Sequence, residues 1–526
     1  MKIRVQSSSY TAVYLLAGLG LASTLLYALG LTARYPLMVG LQHPLASWAT
    51  LAGFVWPASL SLALLYTLLM GQYMLVLRLA ITFQQDHGRI WIIVIIGIWL
   101  LASLVLLGTY PGESLDIFDY LFRGRMQVVL GVSPLATTPA LFADQHFYQY
   151  VNWPTYVDTY GPLWEYASGA VAISVGLLVP SAPLAAYILA YRLLAIGLAG
   201  LCGGLVYMIV HRHNAQRAPA ALLVWLWNPL LLTSTAIGAH NDILMLVAIL
   251  CAVLFFQRRR WLLGLLALAL AAHVKLTGLL LLPVLALWLV QRVGWWRAIR
   301  IGGVAAVVAL ALSWLLYAPL GGWATLPRML SERVSLIANS TAFIGYWVLQ
   351  TYAGWSEAAA WRVMTQAATW SFLGVAGIVL VRFWRRTAAQ PGEPDDAVLW
   401  RCGIAVTMAF LLLGSFWFWP WYLLWVLALA ALLPASRFTT TLLPACCLGA
   451  IWLYIATDLL LRRWRVATPI SPLAGLSAAS WVVLALSAIM LCALWRVLAV
   501  AAPLREGSQI VTWPRRLGER RAKRTE

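Results

Sequence analysis

Charge is what this sequence has little of. Asp, Glu, Lys and Arg make up 10% of its 526 residues, and 17 residues are acidic. A soluble globular chain carries about 25% charged and about 45–50% apolar residues. Here the apolar share is 63% and the mean hydropathy is +0.84. That excludes a soluble enzyme, a disordered chain and a coiled coil. Cysteine is also scarce: Cys202, Cys251, Cys402, Cys446, Cys447 and Cys492 all lie inside apolar runs. With neither zinc spacing nor a loop location they read as small hydrophobes. Alternating ten-residue strands are missing, which removes a membrane β-barrel. Internal repeats, low-complexity stretches and a nucleotide-binding loop are missing too.

What is present is a succession of apolar runs between 11–31 and 474–499. They predict an all-α, polytopic membrane protein with roughly 12–15 transmembrane helices. The run 11–31 reads as a retained signal-anchor, since no small-residue cleavage site stands out. Two segments, 109–162 and 319–360, are too polar for lipid and read as outer loops with short helices at the interface. The chain divides into N-terminal helices (1–89), a membrane module with the first loop (90–318), a C-terminal module with the second (319–503) and a basic tail (504–526).

The 36 Lys and Arg exceed the acids enough to give a net charge of +19. In a membrane protein such residues hold loops in the cytoplasm and meet anionic lipid; nucleic acid is not implied. Lys2, Arg4, the clusters at 212–217, 258–260, 292–300 and 382–386, and the tail with Arg515, Arg516, Arg520 and Arg521 mark the inside. Both polar loops, residues 240–242 and residues 273–275 then fall outside. Parity is kept if the run 163–180 only half-crosses, and Arg462, Arg463 and Arg465 break the rule.

Six of the 17 acids, Glu113, Asp116, Asp119, Asp144, Asp158 and Glu165, crowd into 113–165. Any large polar loop carries acids, but this density also suits a general base at the membrane surface. Asp116 and Asp119 are one helical turn apart and share a face if the segment is helical. Ionisable groups also interrupt apolar runs: Asp242, with His240 beside it, and His273 with Lys275. Each costs about 2.5–3.5 kcal/mol at the centre of a membrane helix. The bland readings are a snorkelling Lys275 and a hydrogen-bonded interior His240. Lys275, however, lies between two runs too short to span easily, so that junction should open onto a cavity. As a lone ammonium it would need an anion. The 29 tryptophans mostly suit interfacial belts, while Trp417, Trp419, Trp421 and Tyr422 also suit a sugar-stacking wall.

The first loop reads Glu113-Ser-Leu-Asp-Ile-Phe-Asp-Tyr-Leu-Phe-Arg-Gly-Arg125, then Gly131-Val-Ser-Pro, and closes Tyr156-Val-Asp-Thr-Tyr160-Gly-Pro-Leu163. It resembles the first outer loop of GT-C glycosyltransferases, most closely bacterial polyprenyl-phosphate-mannose-dependent mannosyltransferases, where the pattern is SDDIYRYLWDGR. Ser114, Asp116, Ile117, Tyr120, Leu121, Gly124 and Arg125 match it. Leu115 replaces an Asp, Asp119 an Arg and Arg123 an Asp. Trp227-Asn-Pro229, Gly238-Ala-His-Asn-Asp242, His273-Val-Lys275 and Trp419-Pro-Trp-Tyr422 resemble later motifs of that family.

The resemblance implies transfer of a sugar, mannose foremost, from a polyprenyl-phosphate donor to a lipid, glycan or protein acceptor. The reaction would be inverting, at the extracytoplasmic face of a bacterial-type cell membrane. Asp116 is the first choice for the base and Asp119 the second. His273, Lys275 and Arg125 are expected at the donor phosphate, with Arg328 and Arg333 as further candidates. His240, Asp242, Tyr160, Trp421 and Tyr422 are expected in the substrate pocket. No cofactor is called for, though Glu113, Asp116 and Asp119 offer oxygen ligands for a divalent metal. The rival readings are a lipid or solute transporter, disfavoured by the lack of paired repeats, and an inactive assembly subunit.

Overall fold

The computed structural model describes residues 2–53, 56–82, 88–334, 336–388, 396–456 and 472–500. Within them the chain is helical, with no strand and two isolated bridges, Pro36–Thr109 and Ala338–Trp417. Among the described residues eight helices are long and apolar enough to cross a membrane, from Thr11–Thr32 to Asp396–Gly414. A ninth arises if Ala215–Leu226 and Pro229–Ala236, bent by 56°, form one broken span. This is a multi-pass integral membrane protein. Among the described residues the number of full spans is below the expected 12–15, because several apolar runs make helices too short to cross, such as Asp242–Gln257, Trp261–Ala272 and Pro420–Ala430. The run 163–180 becomes the 17-residue helix Pro162–Leu178, about 26 Å long. The basic tail 504–526 and Arg462, Arg463 and Arg465 lie outside the described residues.

The short helices have local causes. At the Trp227-Asn-Pro229 break, Pro229 cannot continue the preceding hydrogen-bond ladder, and the Asn228 side chain caps the new helix by accepting from Leu230 N at 2.9 Å. That helix ends at Ile237, and the turn after it carries Ala239 at φ +49°. This left-handed backbone costs a non-glycine residue about 1–2 kcal/mol. The next helix starts at Asp242, so a carboxylate stands where the helix dipole favours it.

The segment 109–162 contains the helix Asp116–Val128, expected at the interface but in fact mostly buried within the bundle. Gly124 explains how it gets there. A Cβ at that position would lie 2.6 Å from the Ser168 carbonyl, so only glycine lets this helix meet Pro162–Leu178 so closely. At the far end of the segment, Gly161 N donates to Val274 O and Leu163 N to His273 O, both at 3.0 Å. A Cβ on Gly161 would lie 2.1 Å from the His273 carbonyl. The second polar segment packs over the first. Leu135, Val157, Tyr317, Leu320 and Met329 form one apolar cluster. Glu332, on the helix Leu326–Val334, accepts from Val157 N at 2.7 Å.

Candidate active site

The two polar segments and the stretch 417–421 meet around a cavity of about 280 Å³, which the expected pocket residues Tyr160 and Trp421 line and His240, Asp242 and Tyr422 do not. Its lining includes Glu113, Asp116, Asp119, Asp158, Tyr160, Arg333, Trp153, Trp417, Trp419 and Trp421. Asp116 opens the helix Asp116–Val128, and its side chain is 20% exposed to this space. Burial raises its carboxyl to about 6, against the pull of Lys275. His240 Nδ1 lies 3.9 Å from Asp116 Oδ2. The imidazole stacks on Trp421 with ring centroids 3.7 Å apart. Burial, reinforced by the Lys275 charge, holds His240 well below its usual range, so it stays neutral. The contact is therefore a polar neighbour to Asp116 and not an ion pair.

Asp119 lines the same cavity but is engaged elsewhere. It accepts from Asn152 N at 3.3 Å and Trp153 N at 3.0 Å, and Arg123 lies 3.7 Å away. Two of the three departures from the family pattern, Asp119 and Arg123, thus face each other one helical turn apart. Arg123 also reaches Asp158 at 3.7 Å and donates to the Trp153 and Tyr156 carbonyls. This knot fixes the wall 151–158. Burial raises Asp119 to about 7 against the pull of Arg123, with the Asp116 charge adding to the rise.

The ammonium expected to lack an anion has one: Lys275 Nζ lies 3.0 Å from Asp242 Oδ1. That oxygen also accepts from Trp425 Nε1 at 2.7 Å, while Asp242 Oδ2 has no hydrogen-bond partner. The correction has a physical basis. Two ionisable groups buried in an apolar bundle are far cheaper together than apart. Lys275 also sits 4.3 Å over the Tyr422 ring, 5.3 Å over Trp425 and 5.7 Å over Tyr160. Arg333 donates to the Tyr422 hydroxyl at 2.6 Å. Tyr422 therefore stands between two cations.

A second cavity of about 90 Å³ adjoins the first, and Thr159 and Arg333 line both. Lys275 opens into the second, whose other walls include Leu276, Tyr317, Leu326, Met329 and Leu330. His273 has its ring Nδ1 on the Ala269 carbonyl at 2.7 Å and lines neither cavity. Arg125 is not brought to the site: it donates to the Tyr187 hydroxyl at 3.1 Å and lies over the Phe147 ring. Arg328 is tied to Glu332 at 2.9 Å. Among the described residues no group of three His, Cys, Asp or Glu comes together to hold a metal ion. Glu113, Asp116 and Asp119 line the cavity without converging on one point. Trp153 and Trp425 were not singled out from sequence. In a chain with 29 tryptophans, nothing marks these two.

Residues 17–291 match the family described as alpha-(1->6)-mannopyranosyltransferase, N-terminal domain, and residues 173–415 match glycosyltransferase family 87. The chain is 26% identical over 364 residues to an alpha-(1->6)-mannopyranosyltransferase A of Mycobacterium tuberculosis, covering 65% of this chain and 64% of that protein. It is 26% identical over 179 residues to the Corynebacterium glutamicum protein of the same name, covering 33% of this chain and 34% of that one. The chain thus spans a little under two thirds of the first relative and about one third of the second. The first family match takes in Asp116, His240, Asp242 and Lys275 together with more than half of the sequence, and the chain belongs to the alpha-(1->6)-mannopyranosyltransferase family of GT-C membrane glycosyltransferases.

Proposed function

We propose that this protein transfers mannose from a polyprenyl-phosphate donor to the hydroxyl of a lipid, glycan or protein acceptor, with inversion, at the extracytoplasmic face of a bacterial-type cell membrane. The observation that carries the reading is the pairing of a partly open Asp116, raised to about 6, with Arg333 across one cavity. A carboxylate poised near neutral pH suits a general base. Asp116 takes the proton of the acceptor hydroxyl as that oxygen attacks the anomeric carbon. The bond from that carbon to the phosphate oxygen breaks, and its electron pair leaves with the lipid phosphate. Arg333 can meet the phosphate oxygens in a bidentate way, and Lys275 adds positive potential in a water-poor site.

The division into two cavities supports the same reading. The larger one is ringed by acids and indoles and suits polar sugars. The smaller one has leucine and methionine walls beside Lys275 and Arg333, which suits the first isoprene units behind a phosphate. The family membership does not favour the transporter alternative. The test is transfer of radiolabelled mannose from polyprenyl-phosphate mannose by the purified protein, beside an Asp116→Asn variant. Asn keeps size and hydrogen bonding but cannot take the proton, so transfer should fall at least about 10²-fold at unchanged protein yield. Near-normal turnover by Asp116→Asn would remove the base assignment.

A further inference from the structure

Arg192, the ninth residue of the apolar helix Leu184–His213, is completely buried. A guanidinium there is costly unless its charge and donors are answered. Among the described residues no carboxylate lies within ion-pair distance of it. It is answered by three main-chain carbonyls. Nε donates to Ile237 O at 3.0 Å, one terminal nitrogen to Leu107 O at 2.6 Å and the other to Thr109 O at 2.7 Å.

These carbonyls have a common character. Leu107 caps the C-terminus of the helix Arg89–Leu106, and Ile237 caps that of Pro229–Ala236. Helix C-termini present unpaired carbonyls and about half a negative charge each. Two converging ends therefore match one cation. Each end leads within nine residues to the site: from Leu107 the chain runs to Asp116, and from Ile237 to His240 and Asp242. The Leu184–His213 helix carries none of those groups.

We propose that Arg192 is a positioning residue that ties the two helix ends together and so sets the 3.9 Å approach of His240 to Asp116. The proposal rests on the reading of Asp116 as the base. A planar fork reaches divergent carbonyls at once; a lysine ammonium on its single nitrogen does not. The donor side has ties of its own: Gly161 N and Leu163 N hold the turn that carries Lys275, and the Tyr422 hydroxyl holds Arg333. Loss of the tie should therefore act on the base and spare donor binding.

The experiment uses the purified full chain with Arg192→Lys and Arg192→Gln. Transfer kinetics are read against donor concentration and pH, and hydrogen exchange is followed by mass spectrometry. The expected result is a KM for polyprenyl-phosphate mannose within about twofold of the parent, with kcat down at least about tenfold, since small misplacements are costly in rate. The acidic limb of the pH profile moves, and exchange rises in 107–120 and 237–242 but not in 57–82. Unchanged kcat and pH limb in a folded variant overturn the proposal. So does an equal loss of donor affinity and rate, or failure of both variants to accumulate, because each assigns Arg192 to the fold at large. Hydrogen exchange needs no turnover. If Asp116→Asn proves active, the base reading fails by itself, and exchange confined to the two segments still decides whether the tie exists.

Discussion

Replacing Lys275 by Met tests the central cation and separates its two roles. Lys275 and Asp242 are 7% and 1% exposed at the side chain, with 3.0 Å between nitrogen and oxygen. At an effective dielectric constant near 20 the direct attraction is about 5–6 kcal/mol. Removing one partner of a buried pair costs about 3–5 kcal/mol, because the other charge stays buried. Asp242 keeps the Trp425 indole bond at 2.7 Å, and a bond to a charged group is worth about 1.5–3 kcal/mol. The loss for Lys275→Met should thus fall near the lower end, about 3 kcal/mol. Asp242→Asn alone should cost a comparable amount. The Lys275→Met/Asp242→Asn double variant removes both charges and should return to within about 1 kcal/mol of the parent. Donor binding should not return: with no cation at 275, the KM for polyprenyl-phosphate mannose should stay about 10–100-fold high. Lys275→Arg should keep part of the affinity. The assays are thermal unfolding of the solubilised protein and transfer kinetics on the same preparations. Lys275→Met as stable as the parent would show a snorkelling side chain and refute the buried pair. A double variant with normal KM would refute the phosphate role.

Three further outcomes follow from the same site. Asp116 must be ionised to act and burial raises it to about 6, so transfer should climb about tenfold per pH unit below that value and level off above it; a pH–rate profile flat down to pH 4.5, well below the raised carboxyl, would oppose the assignment. Asp119→Asn sets an amide NH2 against one of the two backbone amides, of Asn152 and Trp153, that the carboxylate accepts from, so stability should drop by about 1–3 kcal/mol while transfer persists; abolished transfer at full thermal stability would make Asp119 the base instead. In a background free of the six cysteines, an impermeant thiol reagent on intact cells should label Gln145→Cys and spare His213→Cys, and the reverse pattern would invert the orientation.

The groups proposed to carry the chemistry were legible because they offend their surroundings. Asp242 and Lys275 break apolar runs, and Asp116 stands in the densest acidic stretch of a chain poor in acids. What a linear reading lacks is who meets whom. Lys275 and Asp242 are 33 positions apart and nothing local joins them, so the lysine read as a cation awaiting an anion. Arg125 matched its motif, yet it lies on the part of the Asp116–Val128 helix that meets Tyr187 and Phe147. Helix length was overread for a related reason. Apolar composition shows that a run avoids water, while Asn228, Pro229 and Asp242 decide where a helix must stop and restart. Arg192 carried a visible signal, a single arginine deep in an apolar run. Its partners are carbonyls, which have no sequence signature.

The two hydrogen bonds from Gly161 and Leu163 to the carbonyls of Val274 and His273 have a consequence for how the two cations are held. They rivet the loop that bears Tyr160 to the turn that bears Lys275, and the crowding at Gly161 leaves no slack for one to slide on the other. Tyr160 and Lys275 therefore travel as a single piece. The helix Leu326–Val334, which carries Arg333, is fastened to the same loop through Glu332 and the cluster around Met329. Arginine and lysine are thus both referenced to one loop, and a change that shifts Tyr160 shifts the distance between them.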